Sequence, residues 1–310
     1  MFSPADLMTL PFDDWVNSFV RGWLVPNFRP AFRAAQVPIS MVLGGLDSFF
    51  RWIPMLVMTA GFAAVAWRTA GRGVALFTLL GFIFIDMIGL WDYTMTTLAM
   101  VNTSVLFCAL IGIPVGILAA GADKLWAVVR PILDVMQTIP SFVYLVPIVM
   151  LFGVGMAPGI IATIIFALPP IVRLTNLGIR NVRADLVEAA EAFGSNRWQM
   201  LWDVQLPLAM RTIMAGLNQT LMLALSMVVI AALIGAGGLG LVVNTGLGRM
   251  DVGCATAGGV GIVILAIVLD RITQGLTEPS ARRQTSLRQT LVGFFRPGAQ
   301  MQATDTPKAG

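Results

Sequence analysis

Apolar stretches near the ~20 residues needed to cross a bilayer as a helix recur along most of this chain. They place seven spans, at 52–67, 74–91, 96–120, 132–152, 158–177, 210–234 and 252–272. The first two are short, and no polar segment long enough to be a separate domain lies between them. Residues 1–50 are amphipathic instead. Phe12, Trp15, Val16, Phe19, Val20 and Trp23 share one helical face. Pro26, Pro30 and Pro38 are expected to break the chain there. A second stripe runs through Ile39, Val42, Leu43, Leu46, Phe49, Phe50 and Ile53. Such helices lie along a membrane surface or pack over a bundle. The pattern predicts an all-α, polytopic membrane protein with about seven transmembrane helices, and a polar helical segment at 185–207 between the fifth and sixth.

Composition agrees. Hydrophobic residues make up 57% of the 310 and charged residues 12%, against about a quarter charged in a soluble domain. The net charge of +4 is not gathered into a block, which argues against nucleic acid as a partner. Its distribution sets orientation instead. With the N-terminus outside and the C-terminus in the cytoplasm, fifteen of the twenty basic residues fall on the inner side, among them Arg68, Arg72, Lys124, Arg130, Arg173, Arg180, Arg183 and Arg197. The outer side keeps Arg21, Arg29, Arg33, Arg51 and Arg249. Histidine is absent, which excludes Ser–His catalysis and His-based metal sites. Cys108 and Cys254 lie in separate apolar segments and read as small hydrophobes, not as a disulfide or metal pair. The first twenty residues hold no Lys or Arg and do hold Asp13 and Asp14, unlike a cleavable signal peptide.

The 185–207 segment reads as two short helices. Asp185 is the expected N-cap, with Glu188 its capping-box partner. Ala189, Ala190 and Ala192 favour helix and leave a slim surface for close approach. Gly194 turns the chain, a second stretch presents Trp198, Leu201 and Trp202, and Leu206-Pro207 is expected to end it. The spacing is Glu-Ala-Ala, three residues, Gly, nine residues, an aliphatic (Val204), one residue, Leu-Pro. It resembles the EAA loop of binding-protein-dependent ABC importers. The resemblance implies that Glu188, Ala189, Ala190, Gly194, Leu206 and Pro207 form the element docking on a separate ATPase.

Further runs carry the likeness: Met136–Pro147 (MQTIPSFVYLVP), Phe166–Arg173 (FALPPIVR), Asn218–Met227 (NQTLMLALSM) and Gly237–Gly240 (GGLG). Over about residues 10–275 the chain is similar to glycine betaine/proline betaine importer permeases. That likeness implies a five-helix type I ABC importer core at 95–277, two accessory helices at 51–94, and a basic cytoplasmic tail at 278–310. It also implies a second copy of this permease, two copies of an ABC ATPase subunit, and a substrate-binding protein on a separate chain. No cofactor is expected in this chain; ATP and Mg belong to the ATPase. Betaine-type solutes are the implied cargo, with choline or carnitine as the related alternative.

Polar groups inside spans are costly unless paired or facing a cavity. Gln137, Asn218 and Gln219 are therefore candidates for the translocation path, and Phe142 and Tyr144 offer aromatic faces to a quaternary ammonium head. Asn102, Thr103, Thr138 and Thr220 lie in spans as well, and interhelical hydrogen bonding and packing is the alternative reading for every one of these polar residues. Gly112-x-x-x-Gly116 allows close helix packing. Trp91 and Tyr93 read as an interfacial belt; Asp134 pairs with Arg130 at i,i+4, and Asp270 sits beside Arg271. Asp86, in the second span, reads as a surface-reaching or hydrogen-bonded residue. Two other functions compete. An ion-coupled secondary transporter expects membrane carboxylates or an internal repeat; the carboxylates are few and no repeat is evident. An intramembrane enzyme expects a His, metal-ligand or paired-acid cluster, and none is found. Neither Lys124 nor Lys308 follows a Gly-rich loop, so no Walker A motif is present.

Overall fold

A computed structural model describes residues 14, 15 and 18–277. The basic tail at 278–310, and Phe12 and Val16 of the first amphipathic stripe, lie outside the described residues. Among those described there is helix and no strand. A π-helical turn, Ser18–Leu24, leads into α1 (Val25–Trp52), followed by α2 (Met55–Ala70), α3 (Arg72–Met87), α4 (Trp91–Gly121) and α5 (Asp123–Thr138). A 3-10 turn at Ser141–Tyr144 precedes α6 (Leu145–Phe152). Then come α7 (Met156–Arg180), α8 (Ala184–Ala192), α9 (Arg197–Gln199), α10 (Leu206–Ala231), α11 (Leu239–Gly248) and α12 (Val252–Thr277).

The centre is made by α4, α7 and α10, which pack together most extensively. Without a hydrophobic driving force between helices in lipid, small residues that let backbones meet set such contacts. A Cβ on Gly112 would lie 2.4 Å from Ile171 Cγ2, and one on Gly116 2.6 Å from Thr175 Cβ. The Gly-x-x-x-Gly pair thus seats α4 on α7 as its spacing suggests. Across the other face of α7, Gly178 abuts Ala209 and Thr212 of α10, and Gly216 abuts Leu174.

The seven-span expectation needs correction. Among the described residues four helices are long and apolar enough to cross a membrane, and up to six spans result if two bent pairs are counted. The first two expected spans are α2 and α3, each 16 residues. At 1.5 Å per residue each reaches about 24 Å, short of the ~30 Å hydrocarbon core. The expected span at 132–152 is not one helix: α5 and the 141–152 segment meet at 104° across Ile139-Pro140. Pro140 cannot donate a backbone hydrogen bond and Ile139 is extended (ψ 127), so the helix stops there. Conversely, the prolines expected to break residues 1–50 do not. Pro26 sits in the first turn of α1, where its missing N–H is no loss, and the helix runs on through Pro30 and Pro38. Beside Pro38, the Ser40 hydroxyl donates to the Gln36 and Val37 carbonyls, 3.0 and 2.9 Å away.

The segment after α10 also holds a helix, α11, which packs on α12. Its entry through Gly237-Gly238 is pinned to α4: the Leu239 N–H donates to Thr97 Oγ1 at 2.8 Å, buried. Arg51 fixes α1 to α4 in a similar way, through Thr96 Oγ1 at 2.6 Å, while pairing with Asp47 at 3.0 Å. Trp91 is not simply a belt residue, since its ring packs edge-on against Phe82, 6.0 Å between centroids. Tyr93 is exposed, and Asp86 reaches the surface near the end of α3.

Candidate functional site

The polar segment forms a hairpin of helices standing off one end of the bundle. Glu188, Ala189 and Ala190 lie in α8, none of whose residues is buried. After Ala192 the chain turns through Gly194 at φ +85. L side chains rarely adopt that conformation, whereas glycine does so freely. The turn is closed by backbone bonds from Gly194 N to Glu191 O (2.9 Å) and Ser195 N to Ala190 O (3.1 Å).

The caps differ from expectation. Asp185 is not the N-cap of α8: that position is Arg183, and Asp185 lies in the first turn, accepting from Arg183 Nε at 3.0 Å. The capping box belongs to the second arm. Asn196 Oδ1 accepts from the Gln199 N–H at 2.9 Å, and Gln199 Oε1 accepts from the Asn196 N–H at 2.9 Å. Asn-x-x-Gln ahead of an apolar run was the available signal.

Leu206-Pro207 does not end this arm either. Leu206 is helical (φ −65, ψ −45), and Arg197–Ile234 runs as one 38-residue helix. The reason is the π-helical turn Met200–Gln205 just before the proline. A widened turn relieves the clash of the ring with the preceding carbonyls and the loss of one donor. A rod of about 55 Å, at 1.5 Å per residue, thus reaches from the exposed hairpin through the bundle.

Three aromatics on the hairpin are exposed: Phe193 91%, Trp198 71% and Trp202 57%. Between the hairpin and the ends of α4 and α7 lies a groove of about 670 Å³, lined by Glu188, Glu191, Ser195, Arg180 and Arg197 among others. Arg180 anchors its floor, paired with Asp123 at 2.7 Å and donating to the Ala119 carbonyl at 3.0 Å. Mixed charge, exposed aromatics and a stiff connection to the core describe a surface for a protein partner more than for a small molecule.

The expected path residues divide into two places. Gln137 closes α5 beside the break, and its side-chain oxygen accepts from Arg173 Nη1 on α7. Arg173 also holds Asp134, 2.6 Å away, whereas Arg130 stands 4.0 Å from it. The i,i+4 pairing expected for Asp134 is therefore secondary; its partner comes from another helix. The Tyr144 hydroxyl donates to the Met136 carbonyl, and its ring meets Phe166 edge-on at 6.5 Å. Phe142 is 60% exposed at the same break. Asn218 faces elsewhere. Its Nδ2 donates to Asp270 Oδ1 on α12 at 3.1 Å, and its oxygen accepts from Thr273. Gln274 donates to the same carboxylate at 2.6 Å, so Asp270 serves an amide cluster tying α10 to α12. Gln219 is exposed on α10. Thr103 donates to the carbonyl of Ala99, one turn back. Cys108 and Cys254 are free thiols, and no cluster of metal-ligating side chains occurs among the described residues.

Comparison with known proteins adds independent findings. Residues 112–283 match the family described as "Binding-protein-dependent transport system inner membrane component". The chain is 53% identical over 283 residues to the glycine betaine/proline betaine transport system permease protein ProW of Escherichia coli (strain K12), covering 91% of this chain and 80% of that one. It is 47% identical over 270 residues to the glycine betaine transport system permease protein OpuAB of Bacillus subtilis (strain 168), covering 87% and 95%. It is 43% identical over 281 residues to the glycine betaine/carnitine transport permease protein GbuB of Listeria monocytogenes (serotype 1/2a, strain 10403S), covering 88% and 98%. Among solved structures, an inward-facing MetNI methionine ABC transporter chain aligns with TM-score 0.54 and 25% identity, over 58% of this chain and 91% of that one.

Proposed function

Because this chain belongs to the binding-protein-dependent transport system inner membrane component family, we propose that it is the permease subunit of an ATP-driven importer for glycine betaine/proline betaine-type solutes. The observation that carries the reading is the exposed Glu188–Gly194 hairpin built onto a 38-residue helix that enters the core. An ATPase and a solute-delivering binding protein are the partners. Two ATPase subunits and two copies of this chain complete the assembly, and ATP and Mg are bound by the ATPase, outside this chain.

The mechanism follows from the hairpin's build. α8 docks in a groove of the ATPase, with Glu188 facing the partner and Ala189 and Ala190 permitting close approach. Gly194 holds α8 against α9 at a fixed angle. Movement of the docked helix then passes along the rod into α10, which is packed on α7 through Gly178 and Gly216. The hairpin lies in the cytoplasm, with the N-terminus outside, in keeping with the inner-side excess of Arg and Lys. Carnitine belongs among the cargoes to be tested, given the name of the Listeria relative. An ion-coupled carrier is the less supported reading, since carboxylates in the apolar segments are few and Asp270 is held by Asn218 and Gln274.

Reconstitution in liposomes with the partner ATPase and binding protein tests this directly. Labelled glycine betaine should accumulate only with ATP inside and receptor outside. Accumulation by this chain alone, down an ion gradient, contradicts the reading.

A further inference from the structure

The break between α5 and α6 gathers groups that the coupling role does not use. α7 is the most enclosed of the long apolar helices. Phe166 and Arg173 are half-exposed exceptions on it, seven residues apart and so about 10 Å along the axis. Both face the broken segment. Phe166 meets Tyr144, and Arg173 reaches Asp134 and Gln137 one turn apart on α5. Phe142 stands exposed beside them.

One end of this cluster therefore holds aromatic rings, Phe142 exposed and Tyr144 and Phe166 half-buried against each other, and the other a guanidinium. An aromatic face attracts a quaternary ammonium group through its ring quadrupole. A guanidinium is a rigid fork of donors that matches a carboxylate. A zwitterion carrying both groups complements the cluster, and a quaternary ammonium alcohol complements only half of it. Asp134 is 54% exposed and its Arg173 partner 33%. Ion pairs as open as this are weakly held, so an incoming carboxylate can take Asp134's place.

We propose that Arg173 is a specificity-determining residue of the permease itself, binding the carboxylate of a zwitterionic quaternary ammonium solute at the broken span, with Phe142, Tyr144 and Phe166 around the cationic head. This rests on the importer reading above and names a contact inside its path. Asp134 and Gln137 hold the guanidinium in place until the solute's carboxylate displaces Asp134.

The experiment is equilibrium binding of labelled glycine betaine and of labelled choline, which lacks the carboxylate, to the permease–ATPase complex in nanodiscs with no receptor present. Arg173→Gln should weaken glycine betaine at least tenfold and leave choline within twofold. Arg173→Lys should fall between. Asp134→Asn, which removes the competing carboxylate, should tighten glycine betaine several-fold, an effect that a purely structural ion pair would not produce. Equal loss of both ligands in Arg173→Gln, weaker glycine betaine binding in Asp134→Asn, or no saturable binding to the wild-type complex up to tens of millimolar overturns the proposal. ATPase stimulation by the loaded receptor is measured on the same samples. If it persists while binding fails these tests, the permease reading stands and only the Arg173 site falls; if the wild-type complex shows none, the importer reading fails.

Discussion

Gly116 and Gly194 are both glycines for physical reasons, and the reasons differ. A side chain at 116 would meet Thr175 Cβ at 2.6 Å and the Val172 carbonyl at 2.9 Å, so the position is closed by packing. Overpacking of this kind costs about 1–3 kcal/mol. Gly116→Leu should therefore lower the thermal midpoint of the purified protein and its yield in the membrane. At 194 nothing stands within 4 Å of an added Cβ, but φ is +85. A branched residue there costs about 1–2 kcal/mol of backbone strain, confined to an exposed turn. Gly194→Val should still insert and fold, with a thermal midpoint lowered no further than that strain accounts for, and lose most ATP-driven uptake; unchanged uptake would count against docking by this hairpin. The Gly-x-x-x-Gly pair was legible because its meaning depends on spacing alone. Arg173 was not legible as the partner of Asp134, since 39 residues separate them and only the fold brings them together.

Among elements, the long uniformly apolar helices were readable and the irregular ones were not. Residues 132–152 keep an apolar character across Ile139-Pro140, so hydropathy alone makes one span where the backbone turns by 104°. α11 escaped notice because ten residues are too few to register as a membrane helix. The reading of Leu-Pro as a stop failed for a different reason. Proline ends a helix where the residue before it turns extended, as Ile139 does; Leu206 stays helical, after a π turn that has already opened the ladder. The cap of the rod gives a test at this scale. Asn196→Ala removes the half of the capping box that its side chain makes, the acceptor for the Gln199 N–H, at a cost of about 1 kcal/mol. Amide exchange at Arg197–Met200 should quicken, and uptake should fall while receptor affinity is unchanged.

For the molecule as a whole, residues 112–283 belong to a shared transport family, while α1, α2 and α3 stand before that stretch. The apolar pattern and the composition made the membrane assignment, and the motif made the functional one; neither gave the continuity that joins the hairpin to the core. That continuity is the central claim: a stiff rod carries motor movement from an exposed turn into α7 and α10. It is tested most directly by a cross-link. With Cys108 and Cys254 replaced, Phe193→Cys puts a thiol at a site 91% exposed in the isolated chain. In the assembled transporter it should cross-link to the ATPase, resist labelling from outside the cell, and change its cross-linking yield when ATP is bound. A thiol at 193 that labels from outside, or that never cross-links to the ATPase in an assembly still able to transport, contradicts the account.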